Sequence, residues 1–137
     1  MNVEIQGSYL GNKKVKLTHG PSSAEIVTDS PRDIQGEGKY FSPTDLVAAA
    51  LGSCMLTLIA IVAEKDKVDV SGMSMNIEKH MHIAPRRISA LPVIIHLPKK
   101  LSREQRQKLE KAAMTCPVHH SLHPEISVPV EFIYDVE

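Results

Sequence analysis

Apolar and polar residues alternate in steps of two through the first part of the chain. Val3-Glu4-Ile5, Lys14-Val15-Lys16-Leu17 and Ala24-Glu25-Ile26-Val27 each set apolar side chains two apart, the period of a half-buried strand. Gly11-Asn12 and Gly20-Pro21-Ser22-Ser23 supply the turn residues between them. Residues 30–41, "SPRDIQGEGKYF", combine proline, two glycines and mixed charge and read as a loop. The period then changes. Ser42 is placed to cap a helix, Pro43 suits its first turn, and Asp45 lies three residues after the cap. This helix is predicted to run to about Glu64. Val68 to His82 alternates again, with Val70, Met73, Met75 and Ile77 among polar neighbours, and is predicted as one long strand with an irregularity at Gly72. Pro85, Arg86 and Arg87 make a turn, and Ala90 to Leu97 is a Val- and Ile-rich strand. A second helix is predicted from Ser102, with Gln105 as capping-box partner, to Cys116, where Pro117 stops it. Ile126 to Val136 is a last strand. This order predicts one α+β domain over residues 1–137 with a mostly antiparallel sheet.

Composition narrows the function classes. Sixteen basic and sixteen acidic residues cancel, so no net field draws the chain to nucleic acid or anionic lipid. Aromatics are 4% with no Trp, which argues against a base-stacking platform. The Met1-Asn2-Val3-Glu4 start lacks a basic region followed by an apolar run, so no signal peptide is expected and the expected compartment is the cytoplasm. The longest apolar stretch, Leu46 to Val62, is broken by Ser53 and Thr57 and reads as too short for a membrane span.

The first helix is apolar on almost every side: Leu46, Val47, Ala48, Ala49, Ala50, Leu51, Met55, Leu58, Ile59, Ile61 and Val62. Such a helix expects cover all round, more than thin sheets of one small domain supply, so a second subunit is expected to provide part of it. The alanines at 48–50 and Gly52-Ser53 would let another helix approach closely.

One of only two cysteines lies in this helix. Cys54 sits on the stripe Val47, Ala50, Leu51, Cys54, Leu58, Ile61, where a cysteine can serve as a small buried hydrophobe. It lies roughly 18 Å beyond the cap at ~1.5 Å per residue, too far for the helix dipole to favour a thiolate. A reactive Cys54 therefore needs a cation brought to it. Cys116 ends the apolar stripe Leu109, Ala112, Ala113 of the second helix. Two cysteines on the inward faces of two helices suggest a redox couple, one attacking and one resolving. A metal site is the rival, since "CPVHHSLH" gathers Cys116, His119, His120 and His123, although the spacing matches no standard zinc motif. Glu64, Glu104 and Glu110 read as solvated helix faces, and no phosphate loop or nucleophile elbow is present.

"SPTDLVAAALGSC" followed by "CPVHHSL" resembles the osmotically inducible protein C and organic hydroperoxide resistance family over essentially the whole chain. The resemblance implies an intertwined homodimer, with two long central helices held between mostly antiparallel sheets from both subunits. It implies that Cys54 is the peroxidatic cysteine and Cys116 the resolving one. The chemistry implied is thiolate attack on an organic hydroperoxide, a Cys54 sulfenic acid, and a Cys54–Cys116 disulfide reduced by an external dithiol or a lipoylated protein. No cofactor, metal, nucleic acid or membrane partner is implied. The family places an arginine before a Gly-Glu pair. Here Arg32 precedes Gly36-Glu37, matching the family pattern with a one-residue gap, and a guanidinium keeps its charge in a poorly hydrated pocket; the other reading is an exposed loop arginine. The family also has a glutamate just after the helix-opening proline to orient that arginine, where this chain has Thr44 followed by Asp45. Asp45 either takes that role with a shorter reach or serves the capping box. Besides the peroxidase, two further readings stand: a binding protein for an apolar ligand on the same dimeric scaffold, and a Cys/His metal-binding protein.

Overall fold

The computed structural model describes every residue from Met1 to Glu137. The chain forms two compact units, residues 1–46 and 47–137, each described in turn.

The first unit is a three-stranded antiparallel sheet followed by a loop. Its strands are β1 (Ile5–Gly11), β2 (Lys14–His19) and β3 (Glu25–Thr28), in the order β1-β2-β3. The turn between β1 and β2 uses Gly11, Asn12 and Lys13, all with positive φ, which is why glycine and asparagine stand there. The register pairs Tyr9 with Val15, Gly7 with Leu17, and Leu17 with Ile26. Alternation therefore gathers Ile5, Tyr9, Val15, Leu17 and Ile26 on one face. Ile5, Tyr9 and Ile26 stay exposed in the single chain, at 62%, 69% and 50%.

Helix α1 (Pro43–Lys65) opens at the end of this unit and fills the second. The predicted capping box forms: Asp45 N–H donates to Ser42 Oγ at 3.1 Å and Ser42 N–H donates to Asp45 Oδ2 at 2.9 Å. The other end closes on a left-handed Lys67 (φ 56°). Val68 N–H reaches back to Ala63 O at 2.8 Å and Lys67 N–H to Glu64 O at 3.1 Å, which satisfies two of the last carbonyls. At 23 residues the helix is long and apolar enough to cross a bilayer by length and composition, so the expectation that it is too short does not hold. Its Ala48, Leu51, Gly52, Met55, Ile59 and Ala63 face is packed in the core.

The second unit carries a sheet of order β4-β7-β8 and a two-stranded ribbon β5-β6. The strands are β4 (Ser74–Ile77), β5 (His80–His82), β6 (Arg87–Ala90), β7 (Val93–Pro98) and β8 (Val130–Val136). Two corrections to the predicted strands share one cause. Val68–His82 is not one strand: it becomes β4, paired with β7, and β5, paired with β6. Ala90–Leu97 likewise splits into β6 and β7 around Pro92. Proline has no N–H for a ladder, so pairing stops there, and Pro92 O instead accepts from Glu78 N–H at 3.1 Å. Gly72, at φ 86°, marks the turn before β4 rather than a bulge within a strand.

β7 and β8 run parallel, the exception to the antiparallel pattern. A parallel pair requires a crossover, supplied by α2 (Arg103–Ala113) and α3 (Pro117–Ser121). The α2 cap follows the prediction, with Ser102 and Gln105 bonding reciprocally. The helix ends at Ala113, however, and Pro117 opens α3 instead of only stopping α2. Proline fits the first helical position because its missing N–H has no partner there. Ala48, Leu51, Met55, Ile59 and Ala63 of α1 form the core with Val93, Ile95 and Leu97 of β7 and with Leu109, Ala113 and Cys116.

α1 is not covered all round. Ala50, Ser53 and Thr57 are exposed, and Ile61 is 58% exposed. Gly52 does not meet another helix. It faces Met75 of β4, whose Cε would lie 2.5 Å from a Cβ at this position.

Candidate active site: two cysteines and their supports

Cys54 belongs to the middle of α1, on the border between its buried and uncovered stripes. Its flanking residues Leu51 and Met55 are fully buried, while Cys54 itself is half-buried and packs against the core. The buried stripe thus lies one residue round from the one predicted to hold Cys54.

Cys116 is fully buried. It lies between helices: α2 has ended, Met114 and Thr115 turn the chain, and Cys116 becomes the N-cap of α3. Its Sγ accepts the His119 N–H at 3.5 Å, a sulfur in the place where a serine or aspartate oxygen is common. The Cys54 side chain is close enough to act on the Cys116 thiol, and neither cysteine is in a disulfide. Burial pushes the Cys116 thiol above its ordinary 9.0, and the Cys54 side chain adds to the rise. The His119 and Val118 N–H groups, together with the charge on a Cys54 thiolate, act on the same sulfur in opposite senses, the amides lowering and the charge raising. Cys116 is therefore a thiol that keeps its proton beside a second sulfur.

Arg32 and Asp45 lie in the first unit. Arg32 opens a one-turn 3₁₀ helix, Arg32–Ile34, in the loop before α1. It is exposed, and its Nε donates to Glu37 O at 3.3 Å. Asp45 carries the α1 cap through Oδ2, the second of the two roles its position allowed. Thr44 Oγ1 lies 3.2 Å from Ser42 Oγ.

The loop holding Arg32 is organised by a residue the sequence reading did not single out. Asp29 is buried, and its carboxylate accepts Ser30 N–H at 2.8 Å and Lys39 N–H at 3.0 Å, joining the two ends of the loop. Lys14 Nζ lies 3.6 Å from Asp29 and also bonds Glu37. The Lys39 amide, ahead of the other partners, holds the Asp29 carboxyl below its ordinary 3.8. Gly36 is required here, since a Cβ would lie 1.7 Å from Ser30 O. The available signal was "DSP" at residues 29–31, an aspartate at a turn, where such side chains commonly bind backbone amides.

The metal reading is corrected by the geometry. His119 and His120 stack on each other with centroids 6.1 Å apart, and His123 Nδ1 accepts Glu125 N–H at 3.1 Å. No group of three His, Cys, Asp or Glu side chains is arranged to hold a metal ion. Helical turns separate ligands that were neighbours in sequence.

Comparison with known proteins extends the picture. A protein of Psychrobacter arcticus, provisionally described as an osmotic stress induced and detoxification response protein, has a crystal structure with TM-score 0.89 to this chain. It is 38% identical, with 93% of each chain covered. An organic hydroperoxide resistance protein of Legionella pneumophila shares the fold at TM-score 0.72, with 21% identity and 97% of each chain covered. An uncharacterised protein of Acinetobacter baylyi is 23% identical over 128 residues, covering 91% of this chain and 89% of its own length. The family model described as "OsmC-like protein" matches residues 36–131. That span includes both cysteines and Asp45 and leaves Arg32 outside it. With the model covering most of the chain and both cysteine segments inside it, the chain belongs to the family of OsmC-like proteins.

Proposed function

We propose that the chain is a thiol peroxidase for organic hydroperoxides, acting in oxidative stress defence. The observation that carries this reading is that reduced Cys54 lies close enough to act on reduced Cys116 in a member of a family whose solved relatives include organic hydroperoxide resistance proteins. The Cys54 thiolate attacks the distal oxygen of the peroxide. The O–O bond breaks, the alcohol is released, and Cys54 is left as a sulfenic acid. Cys116 then attacks the Cys54 sulfur, the S–O bond breaks, and water leaves as the disulfide forms. An external dithiol or a lipoylated protein returns both residues to thiols.

Arg32 is assigned as the cation that favours the thiolate, on the strength of its place before Gly36-Glu37. Asp45 fixes the start of α1 through the helix cap, and the Glu37 carbonyl and the Asp29-bound loop orient Arg32. The working form is a homodimer in the cytoplasm. In support, Ile61 of α1 and Ile5, Tyr9 and Ile26 of the β1-β2-β3 sheet are at least half exposed in the single chain, more apolar surface than a monomer keeps without purpose.

The test is stoichiometric. Reduced protein receives one equivalent of cumene hydroperoxide, and free thiols are counted by mass spectrometry in the wild type, Cys54→Ser and Cys116→Ser. The expected result is a Cys54–Cys116 disulfide in the wild type and an oxidised, unpaired Cys54 in Cys116→Ser. Thiols that stay reduced in excess peroxide would defeat the peroxidase reading and leave the apolar-ligand binder.

A further inference from the structure

Resting on the peroxidase reading, we infer that Cys116 acts twice: first as the acid that protonates the departing alkoxide, then as the nucleophile that closes the disulfide. Three features of its setting point this way. Cys116 has no solvent exposure, Cys54 lies close enough to act on its thiol, and its sulfur already accepts the His119 amide. Buried beside Cys54 and held by the His119 amide, the thiol is placed to give up its proton where the peroxide must react.

The chemistry needs such a proton. Attack by the Cys54 thiolate transfers the hydroxyl of the peroxide to sulfur and expels the other oxygen as an alkoxide. The conjugate acid of an alkoxide has a pKa near that of water, about 16, so this is the poorer half of the reaction without an acid. A proton passing from Cys116 Sγ gives the alcohol and leaves Cys116 as a thiolate. That thiolate attacks Cys54 Sγ, the S–O bond breaks, and the hydroxide takes a proton from solvent to leave as water. One peroxide is reduced and two thiols are oxidised, so electrons and protons balance. Burial, which holds Cys116 protonated, then has a purpose: the resolving thiol is inert until the first step arms it.

The test uses two peroxides that differ in leaving group. Cumene hydroperoxide expels an alkoxide, whereas peracetic acid expels a carboxylate, whose conjugate acid has a pKa of about 4, and needs no acid. Rapid-quench mass spectrometry reads loss of the Cys54 thiol in the wild type and in Cys116→Ala. The ratio of the two rates cancels any change in the fraction of Cys54 ionised. The expected result is a fall of roughly 100-fold in that ratio in Cys116→Ala, the scale of positioned general-acid catalysis. In the unmutated protein, a solvent deuterium effect on the cumene hydroperoxide reaction and none on the peracetic acid reaction is expected alongside it. If the ratio is unchanged, or both wild-type reactions show the same solvent effect, Cys116 is only a resolving thiol. The peroxidase reading would survive that result so long as the wild type still forms its disulfide. A wild-type Cys54 oxidised by neither peroxide would remove both.

Discussion

Gly52 offers a substitution whose sign should depend on a single neighbour. Ala in place of Gly within a helix interior is worth about 0.8–1 kcal/mol, and Gly52 lies in the middle of α1. Against this, the new methyl would sit 2.5 Å from Cε, 2.6 Å from Sδ and 3.4 Å from Cγ of Met75. Overpacking a core costs about 1–3 kcal/mol, and a methionine end moves more readily than a ring or a branched chain, so about 1–2 kcal/mol applies here. Gly52→Ala alone should be neutral or destabilising by up to about 1 kcal/mol on these figures. In a Met75→Ala background the obstruction is gone, and the same change should stabilise by about 1 kcal/mol. Urea denaturation of the four proteins at one fixed concentration would give the coupling, expected at about 1–2 kcal/mol. Equal stabilisation by Gly52→Ala in both backgrounds would show that Met75 does not confine the glycine, and the close approach of β4 to α1 would be refuted.

Two further predictions concern protonation. The Asp29 carboxyl is held below its ordinary 3.8 chiefly by the Lys39 amide, so its contribution is fully present above that pH and is lost as pH falls through the lower folded value. Exchange protection of the Ser30 and Lys39 amides should therefore drop as pH falls below 3.8 in the wild type and be weak throughout in Asp29→Asn; protection unchanged by the substitution would contradict the role given to Asp29. Tyr134 is the opposite case: burial first, and then its hydrogen bond to Glu110, raise the phenol above its ordinary 10.0. The unfolded chain gives up that proton sooner, so stability should fall as pH rises beyond 10.0, and Tyr134→Phe should flatten the fall while costing about 1 kcal/mol at neutral pH. A denaturation series across alkaline pH reads both effects, and identical slopes in the two proteins would count against them.

The elements that were legible in the sequence are those whose signals are local. The Ser42–Asp45 and Ser102–Gln105 boxes formed as expected, because a cap is a contact between residues three apart and needs nothing else. The period-two stretches at β2 and β3 appeared as well, whereas β1 runs Ile5–Gly11, mostly beyond the Val3-Glu4-Ile5 stretch. What failed depended on partners. Val68–His82 kept its alternation in the sequence, yet a proline at position 92, between β6 and β7, divided it into β4 and β5. The stripe of α1 that is buried was not separable from its neighbour, since both are apolar and only the position of β7 and the Met75 side chain of β4 chooses between them. Asp29 was passed over because its burial and its reach to Lys39 come from loop closure, which a ten-residue separation hides.

The burial of Cys116 shows how a correct expectation can rest on an incomplete reason. Cys116 was expected on the inward face of α2, continuing the Leu109, Ala112, Ala113 stripe. α2 instead ends before it, and the inward position comes from the restart of the chain as α3, with Pro117 in the first turn and the His119 amide on Cys116 Sγ. The difference has a chemical consequence. A sulfur on a continuous helix would have its direction fixed by the helix axis alone, whereas an N-cap sulfur is also oriented by the amide it accepts. That amide holds the sulfur near Cys54, which is close enough to act on the Cys116 thiol in the reduced chain. On the proposed reading, a sulfenic acid formed at Cys54 therefore arises beside its resolving partner, and interception by that partner competes directly with further oxidation to the irreversible sulfinic acid.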